Sequence, residues 1–156
     1  MKTFKNIRRN KGITLIEVLV TVIVLAFGLL GLAGLQANSL KNNHSAFLRS
    51  QATYLAYEII DRMRANRVEA IDNESYDIDS ATYNIFTSVT NTTPKSAAAT
   101  HTKTDLNAWI ASLSALPSGE GGIDCNTAEN ICRVVVVWND TRAAGGSQQF
   151  DMSAEL

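Results

Sequence analysis

The chain of 156 residues carries 14 basic and 15 acidic side chains, a formal net charge of −1, and 46% of it is hydrophobic. Lys2, Lys5, Arg8, Arg9 and Lys11 lie in an acid-free stretch before Gly12, which leaves nine basic residues against fifteen acidic ones beyond it, a formal balance of −6. That acid excess argues against nonspecific binding to nucleic-acid phosphates. Once one long N-terminal helix is set aside, about ninety residues remain, enough for a single small domain with a modest core.

The basic leader, residues 1–12, ends at Gly12 and meets an apolar run from Ile13 to Leu35. As a helix rising about 1.5 Å per residue, this run is long enough to cross a hydrocarbon core of roughly 30 Å. The positive leader orients it with the N-terminus in the cytoplasm and the C-terminal part outside. A secretory signal peptide carries its cleavage site after the apolar region, whereas here the glycine precedes it, so the anchor is retained. Glu17 is the one strongly polar side chain in the run. An ionised group in the membrane costs a few kcal/mol and is by default a functional residue with a partner to be found. Scission after Gly12 would leave an ammonium on Ile13, four residues from Glu17 and one helical turn away. A neighbouring copy is the other source of that charge.

Gly28, Gly31 and Gly34 interrupt the apolar run, each costing about 1 kcal/mol of helix propensity relative to alanine. Their spacing of three makes a smooth strip on which another helix can pack closely, and it also marks a place to bend. From Gln36 to about Asn66 the pattern continues as an amphipathic helix, residues 36–66, with Leu40, Phe47, Leu48, Leu55, Ile59 and Met63 as its apolar stripe. Charge pairs Glu58–Arg62 and Asp61–Arg64 support its outer face.

Residues 67–156 form the head. Ile71 to Asp79 is rich in turn formers, Tyr83 to Val89 reads as a strand, and Thr87 to Thr104 reads as a long surface loop. Thr104 or Asp105 is the expected cap of a short helix with Leu106, Trp109, Ile110 and Leu113 on its apolar face, ended by Pro117 and Gly119. The β-branched run Arg133 to Trp138 reads as a strand. A turn-rich loop from Asn139 to Ser147 then leads to a returning strand around Gln149–Met152. Cys125 and Cys132 are the only cysteines. Outside the cytoplasm they are expected to form a disulfide, the alternatives being two inert thiols or an incomplete metal site.

No nucleophile elbow, zinc-protease helix or phosphate-binding glycine loop is present, and the expectation is that the protein is not an enzyme and takes no cofactor. His44 and His101 are isolated and receive no role. Asp72, Asn73, Glu74, Asp77 and Asp79 form an oxygen-rich cluster, but without the spacing of an EF-hand a solvated acidic turn is the expectation, and no metal is assigned. Four sequon matches, at Asn43, Asn73, Asn91 and Asn139, are of the kind that arises by chance. Tyr54, Tyr57, Tyr76, Tyr83, Trp109 and Trp138 read as packing residues.

The run Lys11-Gly12-Ile13-Thr14-Leu15-Ile16-Glu17-Val18-Leu19-Val20 resembles the class III signal of type IV pilins and type II secretion pseudopilins. The resemblance implies an α+β fold, a long N-terminal helix packed on a small C-terminal antiparallel sheet. It implies cleavage by a prepilin peptidase between Gly12 and Ile13, N-methylation of Ile13, and a role for Glu17 in subunit assembly through the Ile13 ammonium of a neighbour. The family usually presents phenylalanine after the cut, where this chain has Ile13. Three further features look like the PilV group of minor pilins: Gly28-Leu29-Leu30-Gly31-Leu32-Ala33-Gly34-Leu35-Gln36, Asp105-Leu106-Asn107-Ala108-Trp109 with Leu116-Pro117-Ser118-Gly119, and Cys132 leading into Val137-Trp138. Nothing is recognised in Thr87 to Thr104.

By resemblance, then, the expected role is a minor pilin that primes or modifies type IV pilus assembly, serving twitching motility, adhesion or DNA uptake. Its partners would be major and minor pilins, the prepilin peptidase and the inner-membrane assembly platform. It would sit in the bacterial inner membrane with its head in the periplasm before joining an extracellular pilus. A minor pseudopilin of type II secretion is the nearest alternative. A membrane-anchored binding or enzyme subunit with a look-alike leader is the third.

Overall fold

The computed structural model describes residues 12–79, 94, 98–141 and 146–156. By its internal contacts the chain divides into two units, residues 1–40 and 41–156. One helix, α1 (Leu15–Ala65), spans the boundary. Its apolar part runs unbroken through Gly28, Gly31 and Gly34, and the large apolar residues from Ile13 to Leu35 are exposed.

In the second unit, helix positions spaced by three and four bury one face of α1: Leu48, Ala52, Leu55, Ala56, Ile59, Ile60 and Met63. This narrows the expected stripe. Phe47 is 62% exposed, and Leu40, in the first unit, is exposed as well. Phe47 precedes Leu48 by one residue, about 100° around the helix, which turns it away from the core. Small residues, Ala52 and Ala56, which the apolar pattern passed over, let the helix approach the head instead.

A short helix, α2 (Arg67–Ile71), follows, then α3 (Thr100–Leu113) and three strands, β1 (Glu120–Asn126), β2 (Ile131–Asp140) and β3 (Gly146–Glu155). The strands form an antiparallel meander in the order β1-β2-β3. The expected α+β architecture is therefore what the chain adopts, with the amphipathic half of the long helix against a small antiparallel sheet. Core residues from α1, α3 and the sheet form one cluster that includes Leu106, Trp109, Ile123, Val134, Val136 and Trp138. Val135 and Val137, on the opposite face of β2, are buried too. Burial on both faces explains why the β2 sequence is a continuous apolar run and not an alternation.

Several boundaries differ from expectation. Helix α3 starts at Thr100, with Ala99 as N-cap, so the last residues of the expected 87–104 loop are helical. Thr104 sits inside the helix and donates its hydroxyl to the Thr100 carbonyl at 2.9 Å. Asp105 is likewise interior, because its carboxylate is engaged elsewhere. It accepts from Arg62 at 3.0 Å and from the Tyr76 hydroxyl at 2.9 Å, while Arg62 also reaches Glu58 at 2.6 Å. These bonds tie α3 to the end of α1, and Asn66 joins them by donating to the Tyr76 oxygen at 3.1 Å. The bonds to Glu58 and Asp105 raise the Arg62 pKa, opposed by partial burial. Tyr76 is fully buried, and that burial, more than any neighbour, raises its hydroxyl pKa.

Strands β2 and β3 exceed the expected Arg133–Trp138 and Gln149–Met152, because Asn139 pairs with Ser147 and Asp140 with Gly146. The first two and last two residues of the expected 139–147 loop are thereby strand. Strand β1 was not expected at all, since Gly121-Gly122 lowers strand propensity. Packing overrides propensity there: a Cβ on Gly121 would meet Trp109 Cη2 at 2.5 Å and Leu113 Cδ1 at 3.1 Å. The Trp109 indole is itself held by a 2.9 Å bond from Nε1 to the Leu55 carbonyl of α1. The expected strand at Tyr83–Val89 lies outside the described residues.

Candidate processing and assembly site

Thr14 starts the first turn of α1. Its backbone oxygen accepts from Glu17 N at 3.1 Å and from Val18 N at 3.3 Å, and its hydroxyl lies 3.4 Å from Glu17 N. Thr14 is thus the N-cap and Glu17 stands three residues on, the spacing of a capping box. Both are exposed, and the acid lies in the first turn, where the helix dipole favours negative charge. This Thr-x-x-Glu pattern was legible in the sequence and went unused there. It gives Glu17 a local function in starting the helix. Among the described residues its carboxylate has no ion-pair partner.

Ile13 is 76% exposed just before the helix, and Gly12 next to it is exposed and belongs to no helix or strand. The bond between them is therefore outside regular structure, where a peptidase can take it in extended form. The rest of the leader, residues 1–11, lies outside the described residues.

Beyond the first turn, α1 has a mean hydropathy of 2.7 over its most apolar 18 residues, none of them buried. Among the described residues it is the one helix long and apolar enough to cross a membrane. The Thr21 hydroxyl is satisfied by folding back to the Val18 carbonyl at 2.7 Å, so it adds no polar demand to this surface. A Cβ on Gly28, Gly31 or Gly34 would meet nothing within 4 Å. The fold of the chain does not itself call for glycine at these positions. An apolar surface of this extent marks contact with lipid or with other polypeptide.

Residues 7–33 match the prokaryotic N-terminal methylation motif. The matched segment ties together the end of the basic leader, the Gly12–Ile13 junction, Glu17, Gly28 and Gly31, and it supports placing the chain among type IV pilins or type II secretion pseudopilins. A motif of this kind implies processing by a prepilin peptidase and assembly with other pilins, and an apolar helix directly behind it is compatible with insertion in the inner membrane. No curated protein and no solved structure matches the chain.

In the head, Cys125 and Cys132 are joined by a disulfide between directly opposed residues of β1 and β2. It closes the hairpin whose turn holds Asn130 at φ 55°. The acidic segment divides: Asp72 and Asn73 are exposed, whereas Asp77 and Asp79 are buried. Asp77 Oδ1 accepts the Cys125 backbone N–H at 3.0 Å, and Ile78 exchanges two backbone bonds with Ile123. The segment is bound to the outer edge of β1, a use that its turn-rich composition concealed. Among the described residues no group of three His, Cys, Asp or Glu side chains could hold a metal ion. His44 borders a groove with Pro117 and Asn139, and His101 is exposed on α3. Trp109, Trp138 and Tyr76 are buried as packing residues, whereas Tyr54 and Tyr57 are exposed on α1.

Proposed function

We propose that this chain is a prepilin, cut between Gly12 and Ile13 and methylated there, which enters a type IV pilus as a minor subunit that primes or modifies assembly. Its role is structural and non-enzymatic. The observation that carries the reading is the methylation motif over residues 7–33, which includes the exposed apolar first part of α1. That helix anchors the precursor with the leader in the cytoplasm and the head in the periplasm, and serves the filament interior after extraction. Other pilins, the prepilin peptidase and the inner-membrane platform are the partners in this scheme, and motility, adhesion or DNA uptake its outputs. The PilV-like features, among them Asp105 to Trp109 and the Cys132 strand, favour a pilus over a type II secretion pseudopilus.

Glu17 has a defined part. Its carboxylate, exposed and without an ion partner among the described residues, meets the Ile13 ammonium of a neighbouring subunit and sets axial register as the helix leaves the bilayer. Gly28, Gly31 and Gly34 give neighbouring helices a close approach. Mass spectrometry of sheared filaments and of membranes is the test. A peptide beginning at Ile13 in the sheared fraction is expected; retention of residues 1–12 in the native protein refutes the assignment, and a processed form confined to membranes favours the pseudopilin. Glu17→Ala is expected to keep processing and lose incorporation.

A further inference from the structure

The two outer edges of the sheet are treated differently. On β1, Ile78 pairs with Ile123 and Asp77 takes the Cys125 N–H, so that edge is covered. On β3, Leu156 donates to Asn130 and the register runs without a bulge for ten pairs. Alternate residues from Ala154 back to Gly146 therefore bond to β2, and the N–H and C=O groups of Ser147, Gln149, Asp151, Ser153 and Glu155 point away from it. Among the described residues the only bond to these groups is the one from Gln148 Nε2 to the Ser147 carbonyl at 3.2 Å, and all five residues are exposed. Open edges are usually blunted by lysine, proline, a bulge or short length. Strand β3 has ten residues and none of these devices.

We propose that the β3 edge receives an extended segment of a different pilin subunit as a fourth strand, with Lys or Arg side chains opposite Asp151 and Glu155. The five outward residues include two acids and no base. A second copy of β3 would set acids against one another or against neutral groups, and like charges directly opposite are destabilising. Asp151 is partly neutralised by Arg133, and Glu155 has no ion partner among the described residues, so the edge presents net negative charge. The other face of the added strand has room as well. Phe150 and Met152 are only partly buried on the α1 side of β3. Beside them a groove of about 600 Å³ is bordered by Arg49 and Thr53 of α1 and by Trp138 and Gln148 of the sheet, with no residue of β1. Alternate side chains of an incoming strand would cover those apolar groups and enter this groove.

The inference rests on the prepilin reading, and the test separates the two. A photoreactive benzoylphenylalanine replaces Gln149 in the full chain in its source cells, the cross-linked peptides are sequenced, and the N-terminus of the same molecules is read. The expected result is a processed chain cross-linked to an extended, basic segment of another pilin. Ser153→Pro, which removes one outward N–H and leaves the β2 ladder intact, should cut the yield at least tenfold. Glu155→Lys, a surface change that spares the fold, should cut it at least threefold. A processed, incorporated chain that gives no cross-link, or one only to itself, a helix or a second copy, overturns the proposal and leaves the prepilin reading standing. An unprocessed N-terminus overturns both.

Discussion

Gly121→Ala tests whether the sheet, α3 and α1 are locked together by one tryptophan. The added methyl would lie 2.5 Å from Trp109 Cη2 and 3.1 Å from both Trp109 Cζ2 and Leu113 Cδ1. The indole cannot retreat freely, since Nε1 is bonded to the Leu55 carbonyl and the side chain is fully buried. Overpacking of this kind costs about 1–3 kcal/mol. Relief of unfolded-state entropy on replacing glycine returns about 0.4–1 kcal/mol, so the net loss should be about 1–2 kcal/mol. Trp109→Phe removes the ring atoms that meet the methyl, along with the indole bond. Alone it should destabilise, and in combination with Gly121→Ala it should cost less than the sum of the two by about 1 kcal/mol. Urea unfolding of the full-length protein in detergent, followed by near-ultraviolet circular dichroism, gives the four free energies of the cycle. Strict additivity would refute the steric argument.

Reduction of Cys125–Cys132 opens a loop of sequence separation 7, and the chain-entropy relation gives a loss of about 2.5 kcal/mol; a melting point unmoved by dithiothreitol would contradict it. The buried Tyr76 hydroxyl, with its pKa raised above the usual 10.0, binds its proton more tightly in the folded than in the unfolded chain. Its stabilisation is therefore complete below pH 10 and is lost as pH rises through the higher folded value. Unfolding free energy should fall more steeply above pH 10 in the native protein than in Tyr76→Phe, and parallel curves would count against this. Thr14→Ala should fray the first turn of α1 at a cost of about 0.5–2 kcal/mol, read as faster amide exchange at Glu17 and Val18, which bond to Thr14, in the processed protein.

The sequence makes α1, α3 and β2 legible because each carries a signal that acts over a few residues: a 3.6-residue period, an apolar face ending in Pro117 and Gly119, a run of valines. Strand β1 and the beginning of α3 escape it for a common reason. Gly121 and Asp105 are chosen by what lies opposite them in space, the Trp109 ring in one case and Arg62 with Tyr76 in the other. Read locally, glycine argues against a strand and aspartate argues for a helix cap. Asp77 is similar: its neighbours describe a solvated turn, yet its carboxylate is consumed by the edge of β1.

The N-terminal site reverses this relation. Gly12, Ile13, Glu17 and the three glycines were conspicuous in sequence because local physics does not call for a lone acid or for glycines in an apolar helix. The structure then leaves them without intramolecular use beyond the Thr14 cap, exposed and, at the glycines, facing open space. Residues that a fold has already satisfied, such as Asp105 and Trp109, have their chemistry spent within the chain. Those it leaves idle have theirs available to another molecule, and among the described residues they include the apolar part of α1 and the outer edge of β3. On the proposed reading, a helix that offers a carboxylate and a close-packing strip, and a sheet that offers an open edge, suit a subunit joined along both its anchor and its head.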